Sequence, residues 1–273
     1  MVFTSEVLTL EVDEHVATLW LDRPGARNAL GRAFWRDLKL AADEVASSDE
    51  VRALIIAAKG SHFSVGLDLK EFATLPARET RSAATANGAR YKGIRDWQAS
   101  VTAIADLPMP VIAAVHGYCI GGGVDLITAC DIRLCSSDAI FSVREAKVAI
   151  VADLGTLQRL PHIIGAGHVA ELAFTGKDID AQRAAAIGLV NEVTGTSGAE
   201  VLAAAQALAG QISANSPLAV RGTKAVLNAN EGRTVDEGLD FVAHWNTLYL
   251  NSNDLREALT AFIERRAPNF TGD

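Results

Sequence analysis

Short apolar runs alternate with helical patterns along most of this chain, and that alternation limits the fold more than any other feature. Residues 51–57 (VRALIIA) and 111–115 (VIAAV) are nearly continuous apolar runs, as buried strands require. Residues 5–12 and 15–21 read as two more strands, joined by a tight turn at Asp13-Glu14. Arg23-Pro24-Gly25 breaks that pattern. Asn28 or Gly31 then opens an amphipathic helix with Leu30, Phe34, Leu38 and Ala41 on one face. Residues 132–135, 140–143 and 189–193 are further strands; 78–105, 124–130, 153–160, 165–175 and 181–187 read as helices. From 199 onward the pattern is helical throughout, over 199–214, 217–230, 234–250 and 253–264. The spacing predicts an α/β core over 1–198 and a helical C-terminal region over 199–273.

Charge narrows the partners. With 25 basic and 33 acidic residues the chain carries a formal charge of −8, which argues against nucleic-acid binding. It leaves room for an anionic small ligand, since a few local cations suffice. The three cysteines form no C-x-x-C pair, so a reducing compartment is expected. The six histidines form no metal-ligand cluster, and no metal is expected. The acidic N-terminal segment is no signal or transit peptide. The most apolar run, 111–127, is broken by His116, Asp125 and four glycines, which makes it a poor membrane span. The C-terminal TGD is no peroxisomal or lipidation signal, so a cytoplasmic location is expected.

Two glycine loops follow the buried strands. Cys119-Ile120-Gly121-Gly122-Gly123 lies between a strand and a helix, where bare backbone can approach a ligand and unpaired N–H groups face an anion. A close helix–strand crossing is the structural alternative. Phe63-Ser64-Val65-Gly66-Leu67-Asp68 follows the strand at 51–57. Taken alone it is an ordinary turn. Together the two loops could bring two backbone N–H groups to one point, the geometry of an oxyanion hole.

Three carboxylates accompany the loops. Asp125 lies one helical turn beyond Gly122 among apolar neighbours, so desolvation should raise its pKa. Glu145 follows an apolar strand; flanked by Arg144 and Lys147, it would serve equally as half of a surface salt bridge. Asp153, in VADLG, would serve equally as a helix N-cap. Gly165-Ala166-Gly167-His168-Val169-Ala170 matches the dinucleotide fingerprint, but Pro161 leaves no full strand before it. His116 has no nucleophile motif beside it and reads as a packed, partly buried histidine.

In sum the chain resembles the crotonase (enoyl-CoA hydratase/isomerase) superfamily along nearly its whole length. Arg23-Pro24 with Asn28-Ala29-Leu30 resembles the family's N-terminal signature. The segment from Phe63 to Leu69 resembles its first oxyanion loop, and the segment from Pro110 to Gly117 with Gly121-Gly122-Gly123 its second. Ala261-Phe262-Ile263-Glu264-Arg265-Arg266 with Asn269-Phe270 resembles its closing helix. The resemblance implies a crotonase-like spiral of ββα units with a C-terminal helical trimerisation region, assembled as a homotrimer or a dimer of trimers. It implies an acyl-CoA thioester substrate and no separate cofactor. The thioester oxygen would be held by the N–H groups of Leu67 and Gly122. Ala26, Gly66, Asp68, Leu69 and Lys70 would lie along the CoA, and Arg265, from this chain or a neighbouring subunit, would meet a phosphate.

Within the superfamily the acids decide the reaction. Hydratases typically carry glutamate at both the 125-like and 145-like positions, where the pair holds a water. The runs from Gly121 to Arg133, Val143-Arg144-Glu145, and Ala152 to Pro161 resemble the Δ3,5-Δ2,4-dienoyl-CoA isomerases instead. That resemblance implies Asp125, Glu145 and Asp153 as catalytic acids moving a proton from C2 to C6 of a 3,5-dienoyl-CoA in fatty-acid β-oxidation. Two alternatives remain open: an enoyl-CoA hydratase, and a non-catalytic acyl-CoA-binding member of the fold.

Overall fold

The computed structural model describes residues 3–73 and 82–273. The chain opens with β1 (Phe3–Thr4), the hairpin β2 (Leu8–Asp13) and β3 (Val16–Leu21), helix α1 (Arg32–Ala46) and strand β4 (Ala53–Ala58). Helices α2 (Leu69–Ala73) and α3 (Ala83–Ala105) lead to β5 (Val111–Val115), β6 (Tyr118–Ile120) and α4 (Gly122–Thr128). Next come β7 (Ile132–Cys135), β8 (Ile140–Ser142), α5 (Thr156–Arg159) and α6 (Ala166–Thr175). These are followed by β9 (Ile179–Asp180), α7 (Ala181–Ala186) and β10 (Glu192–Val193). Four helices end the chain: α8 (Gly198–Ser213), α9 (Pro217–Ala229), α10 (Val235–Tyr249) and α11 (Asn253–Glu264). No helix among the described residues is long and apolar enough to cross a membrane.

Seven strands form one sheet in the order β1-β2-β3-β4-β5-β7-β10, antiparallel from β1 to β3 and parallel beyond. A small second sheet joins β6, β8 and β9. Successive strand pairs split between the two: β5 and β7 enter the large sheet, β6 and β8 the small one. The result is a mixed α/β spiral of ββα turns. The strand periodicity of two explains the layering. Leu54, Ile56, Val111, Ala113 and Val115 face the main core, with Phe34, Leu38 and Val45 of α1. Ala53, Ile55, Ala57, Ile112 and Ala114 face the other way and are covered by Val201, Ala205 and Ala209 of α8. Strands buried on both faces cannot alternate apolar with polar residues, which is why 51–57 and 111–115 read as continuous apolar runs.

Several boundaries differ from the sequence reading. Asp13 pairs with Val16, so the hairpin turns at Glu14-His15, with Glu14 at φ +48. Gly31 caps α1, and Asn28 serves elsewhere. The helix expected at 124–130 starts at Gly122, and the one expected at 153–160 shrinks to Thr156–Arg159. Residues 78–81 of the expected 78–105 helix lie outside the described residues. The strand expected at 189–193 pairs only over Glu192–Val193.

The C-terminal helices are tied to the sheet by a buried cation. Lys224 Nζ, on α9, donates to Asp131 Oδ2 at 2.7 Å and to the Met109 carbonyl at 3.0 Å. Asp131 Oδ2 also accepts the Val111 amide at 2.7 Å, at the first residue of β5. Lys224→Ala leaves the Met109 carbonyl without this donor and the Asp131 carboxylate with the Val111 amide but no cation, and should cost about 3 kcal/mol in a denaturant melt. A loss below about 1 kcal/mol would mean that solvent replaces the lysine.

Candidate active site

The two glycine loops lie side by side, joined by main-chain bonds. The Ser64 amide donates to the Tyr118 carbonyl at 2.8 Å, and the Ile120 amide to the Ser64 carbonyl at 3.0 Å. The segment before α1 runs along the other side of the first loop: Leu30 N–H donates to the Gly66 carbonyl at 2.8 Å, and Asp68 N–H to the Leu30 carbonyl at 3.0 Å. Gly66 sits at φ +82, and a Cβ there would stand 2.7 Å from the Ile120 carbonyl oxygen. Only glycine permits that approach.

The Gly66 amide donates to Ser64 Oγ at 3.1 Å and the Asp68 amide to the Leu30 carbonyl, which leaves the Leu67 N–H between them without a hydrogen-bond acceptor among the described residues. Gly122 is the first residue of α4, so its N–H has no acceptor inside the helix, and none is found outside it among the described residues. Both residues are only half-buried. Two unsatisfied amides therefore stand on adjoining loops within reach of a ligand, where an anionic oxygen would satisfy them.

The acids cluster on the same side. Asp125, on the first turn of α4, is 2% exposed. Its Oδ1 accepts two hydrogen bonds from Thr156, from the amide and the hydroxyl, each at 2.7 Å. Burial nevertheless pushes its carboxyl up to about 6; the Thr156 bonds oppose the shift and the charge of Asp153 adds to it. Glu145 follows β8. Gly121 N–H donates to the Ser142 carbonyl at 2.9 Å, which pins the end of β8 to the glycine loop. Gly121 itself, at φ +52, leaves room for the Glu145 carboxylate, whose Oε1 would lie 3.1 Å from a Cβ there. Glu145 Oε2 is buried with no hydrogen-bond partner among the described residues. Burial, then the charge of Asp125, push Glu145 up to about 7, and Asp153 adds to the effect. Asp153 is half-buried, and burial raises its carboxyl above the ordinary aspartate range. Its carbonyl accepts the Gln98 side-chain amide of α3 at 2.6 Å.

The structural alternatives for two of the acids fall away. Asp153 caps no helix: Gly155 stands at the N-cap of α5, and the Thr156 amide goes to Asp125. Glu145 makes no ion pair among the described residues, since Arg144 turns to Asp178. His116 is 7% exposed and its Nε2 meets the Gly60 carbonyl at 2.9 Å, as expected of a packed histidine. The fingerprint-like Gly165–Ala170 stretch follows a 3-10 turn, Leu160–His162, and not a strand.

The sequence matches the family model described as Enoyl-CoA hydratase/isomerase over residues 11–273. The chain belongs to this family, the crotonases. A mitochondrial Δ3,5-Δ2,4-dienoyl-CoA isomerase of Dictyostelium discoideum is 45% identical over 256 residues, 93% of this chain and 87% of the relative. A peroxisomal protein of the same name from Arabidopsis thaliana is 42% identical, covering 98% and 96%. The crystal structure of an enoyl-CoA hydratase from Bacillus anthracis superposes with a TM-score of 0.89 at 29% identity, covering 98% of this chain and all of that one. The α/β core with its C-terminal helices is thus the crotonase fold.

The residues expected along the CoA divide into two groups. Ala26, Gly66, Asp68, Leu69 and Lys70 lie on the two segments joined by the Leu30–Gly66 and Val65–Arg27 main-chain bonds. Leu69 and Lys70 are exposed at the start of α2. The Asp68 side chain is occupied: it pairs with Arg23 at 2.6 Å and accepts the Lys70 and Glu71 amides. The Arg23 bond holds its carboxyl below the ordinary range. Arg265 ends α11, exposed, with no hydrogen bond or ion pair to these segments among the described residues. Sequence reasoning missed Thr156 and Gln98. Gln98 belongs to no motif, Thr156 lies within the run from Ala152 to Pro161 but had no role there, and each acts on an acid distant in sequence. It also left Asn28 without a role beyond the start of α1. Its side chain donates to the carbonyls of Lys59 and His62 and accepts the Arg23 amide, which fixes the N-terminal segment against the first loop.

Proposed function

We propose that this enzyme isomerises 3,5-dienoyl-CoA to 2,4-dienoyl-CoA. The observation that carries the reading is the gathering of Asp125, Glu145 and Asp153 beside the two unsatisfied amides of Leu67 and Gly122. The identity to dienoyl-CoA isomerases supports it. In this reaction the thioester oxygen takes the two amides, and the dienolate charge that develops there is stabilised without a separate cofactor. Glu145, at about 7, is close to the ideal value for a general base at neutral pH and removes the C2 proton. Asp153 delivers a proton at C6. An acyl chain seated between them excludes more water, which raises Asp153 further and favours its acid form. The negative charges of the cluster repel one another, so at least one proton stays in it at neutral pH.

The hydratase reading needs two carboxylates free to hold one water. Asp125 commits one oxygen to Thr156, which disfavours that arrangement. The exposed apolar side chains of α10 and α11, among them Leu248, Leu259, Phe262 and Ile263, fit a second copy of the chain, in a trimer or a dimer of trimers.

An ultraviolet assay with 3,5-dienoyl-CoA and 2-enoyl-CoA of matched chain length tests the reading. The expected result is a rise in conjugated 2,4-diene absorbance with little hydration of the enoyl substrate. Rapid loss of enoyl absorbance with no diene formation would overturn it in favour of the hydratase.

A further inference from the structure

Asp125 is held asymmetrically. Both hydrogen bonds to its carboxylate reach Oδ1, both come from Thr156, and both measure 2.7 Å. No hydrogen bond among the described residues reaches Oδ2. Thr156 and Asp125 are both buried, at 0% and 2% exposure. The charged and titratable groups around Asp125 are Cys119 on β6, Glu145 after β8, Asp153, and Arg159 on α5. Arg159 is itself engaged with the Leu154 carbonyl and the Thr102 hydroxyl. Glu145 offers the contrast, since its Oε2 is buried and receives no donor among the described residues. Two donors on one acid and none on the buried oxygen of its neighbour make unequal hosts for a shared proton.

We propose that Thr156 is a positioning residue of the acid cluster: its two donors reserve the ionised state for Asp125, so that the shared proton is left to Glu145 and Asp153. Resting on the isomerase reading, this gives Asp125 a role without contact with substrate. Its fixed charge keeps the proton on the two acids that exchange it with the acyl chain. The hydroxyl is the separable part, because the Thr156 amide survives every substitution but proline.

The test compares Thr156→Val, which keeps the branched shape and loses the hydroxyl, with Thr156→Ser, which keeps the hydroxyl. Loss of the hydroxyl lets Asp125 take the proton. Its charge then no longer raises Glu145, which ionises at lower pH. The acid limb of the kcat/KM profile should move down by about one pH unit in the valine variant. Its kcat should fall about tenfold with KM little changed, and the serine variant should restore both. Infrared titration of the carboxyl bands, assigned with Asp125→Asn, reads the same exchange without turnover. It therefore separates this proposal from the isomerase reading. A valine variant that folds, as judged by its thermal melt, with carboxyl bands and acid limb unmoved would overturn the proposal. If the valine variant does not fold, Thr156→Ala is titrated in its place, and unmoved bands there would overturn it equally.

Discussion

Glu145→Gln is expected to remove about 10³-fold of turnover while making the folded chain more stable above neutral pH. The same cause produces both effects. Glu145 Oε2 is buried without a partner among the described residues, and burial together with the charge of Asp125 raises its carboxyl from the ordinary glutamate value to about 7. A carboxyl raised on folding weighs nothing on stability below its unfolded pKa, where it is protonated in both states. The penalty grows as pH rises from about 4.5 toward 7 and is constant beyond. Glutamine carries no charge to desolvate, so the variant should lead the parent by about 2 kcal/mol at pH 8.5 and by little at pH 5. Thermal melts at the two pH values check this beside the dienoyl assay. A variant as stable as the parent at pH 8.5 would mean that ionised Glu145 carries no burial penalty in the fold.

Asp153→Asn is the second large effect. Asparagine has no proton to give at C6, so isomerisation should drop about 10²- to 10³-fold. Binding should survive. The hydrogen bond that anchors this residue runs from Gln98 to its carbonyl, which asparagine keeps, and the unsatisfied amides of Leu67 and Gly122 are untouched. Calorimetry with the 2,4-dienoyl-CoA product should therefore give an affinity within about twofold of the parent. Unchanged turnover would refute the acid role. A parallel loss of binding would make Asp153 a structural support for the loop between Glu145 and α5.

The strands and both glycine loops were legible because their causes are local. Apolar runs bounded by glycine and proline need no distant partner to be read. What escaped notice is non-local. The sequence places a helix over 153–160, with an N-cap as one reading of Asp153, yet α5 is only Thr156–Arg159, and the Thr156 amide that such a cap would accept goes to Asp125, thirty-one residues away. Gly122 and Gly123 read as loop because glycine is a weak helix former, but they open α4, and this leaves the Gly122 amide unpaired. The acids were visible as residue types. Their unequal hydrogen bonding was not, since no spacing rule links Thr156 to Asp125 or Gln98 to Asp153.

The pairing of the two glycine loops through Ser64, Tyr118 and Ile120 has an evolutionary consequence. The amides of Leu67 and Gly122 owe their placement to main-chain bonds and to the absence of side chains at Gly66 and Gly121, whereas the acids are carried by α4, by the turn after β8 and by the loop before α5. Mutations that replace or move a carboxylate thus leave the amide pair undisturbed. A descendant lineage could adopt a new proton-transfer chemistry in one or two codon changes while keeping its grip on the thioester.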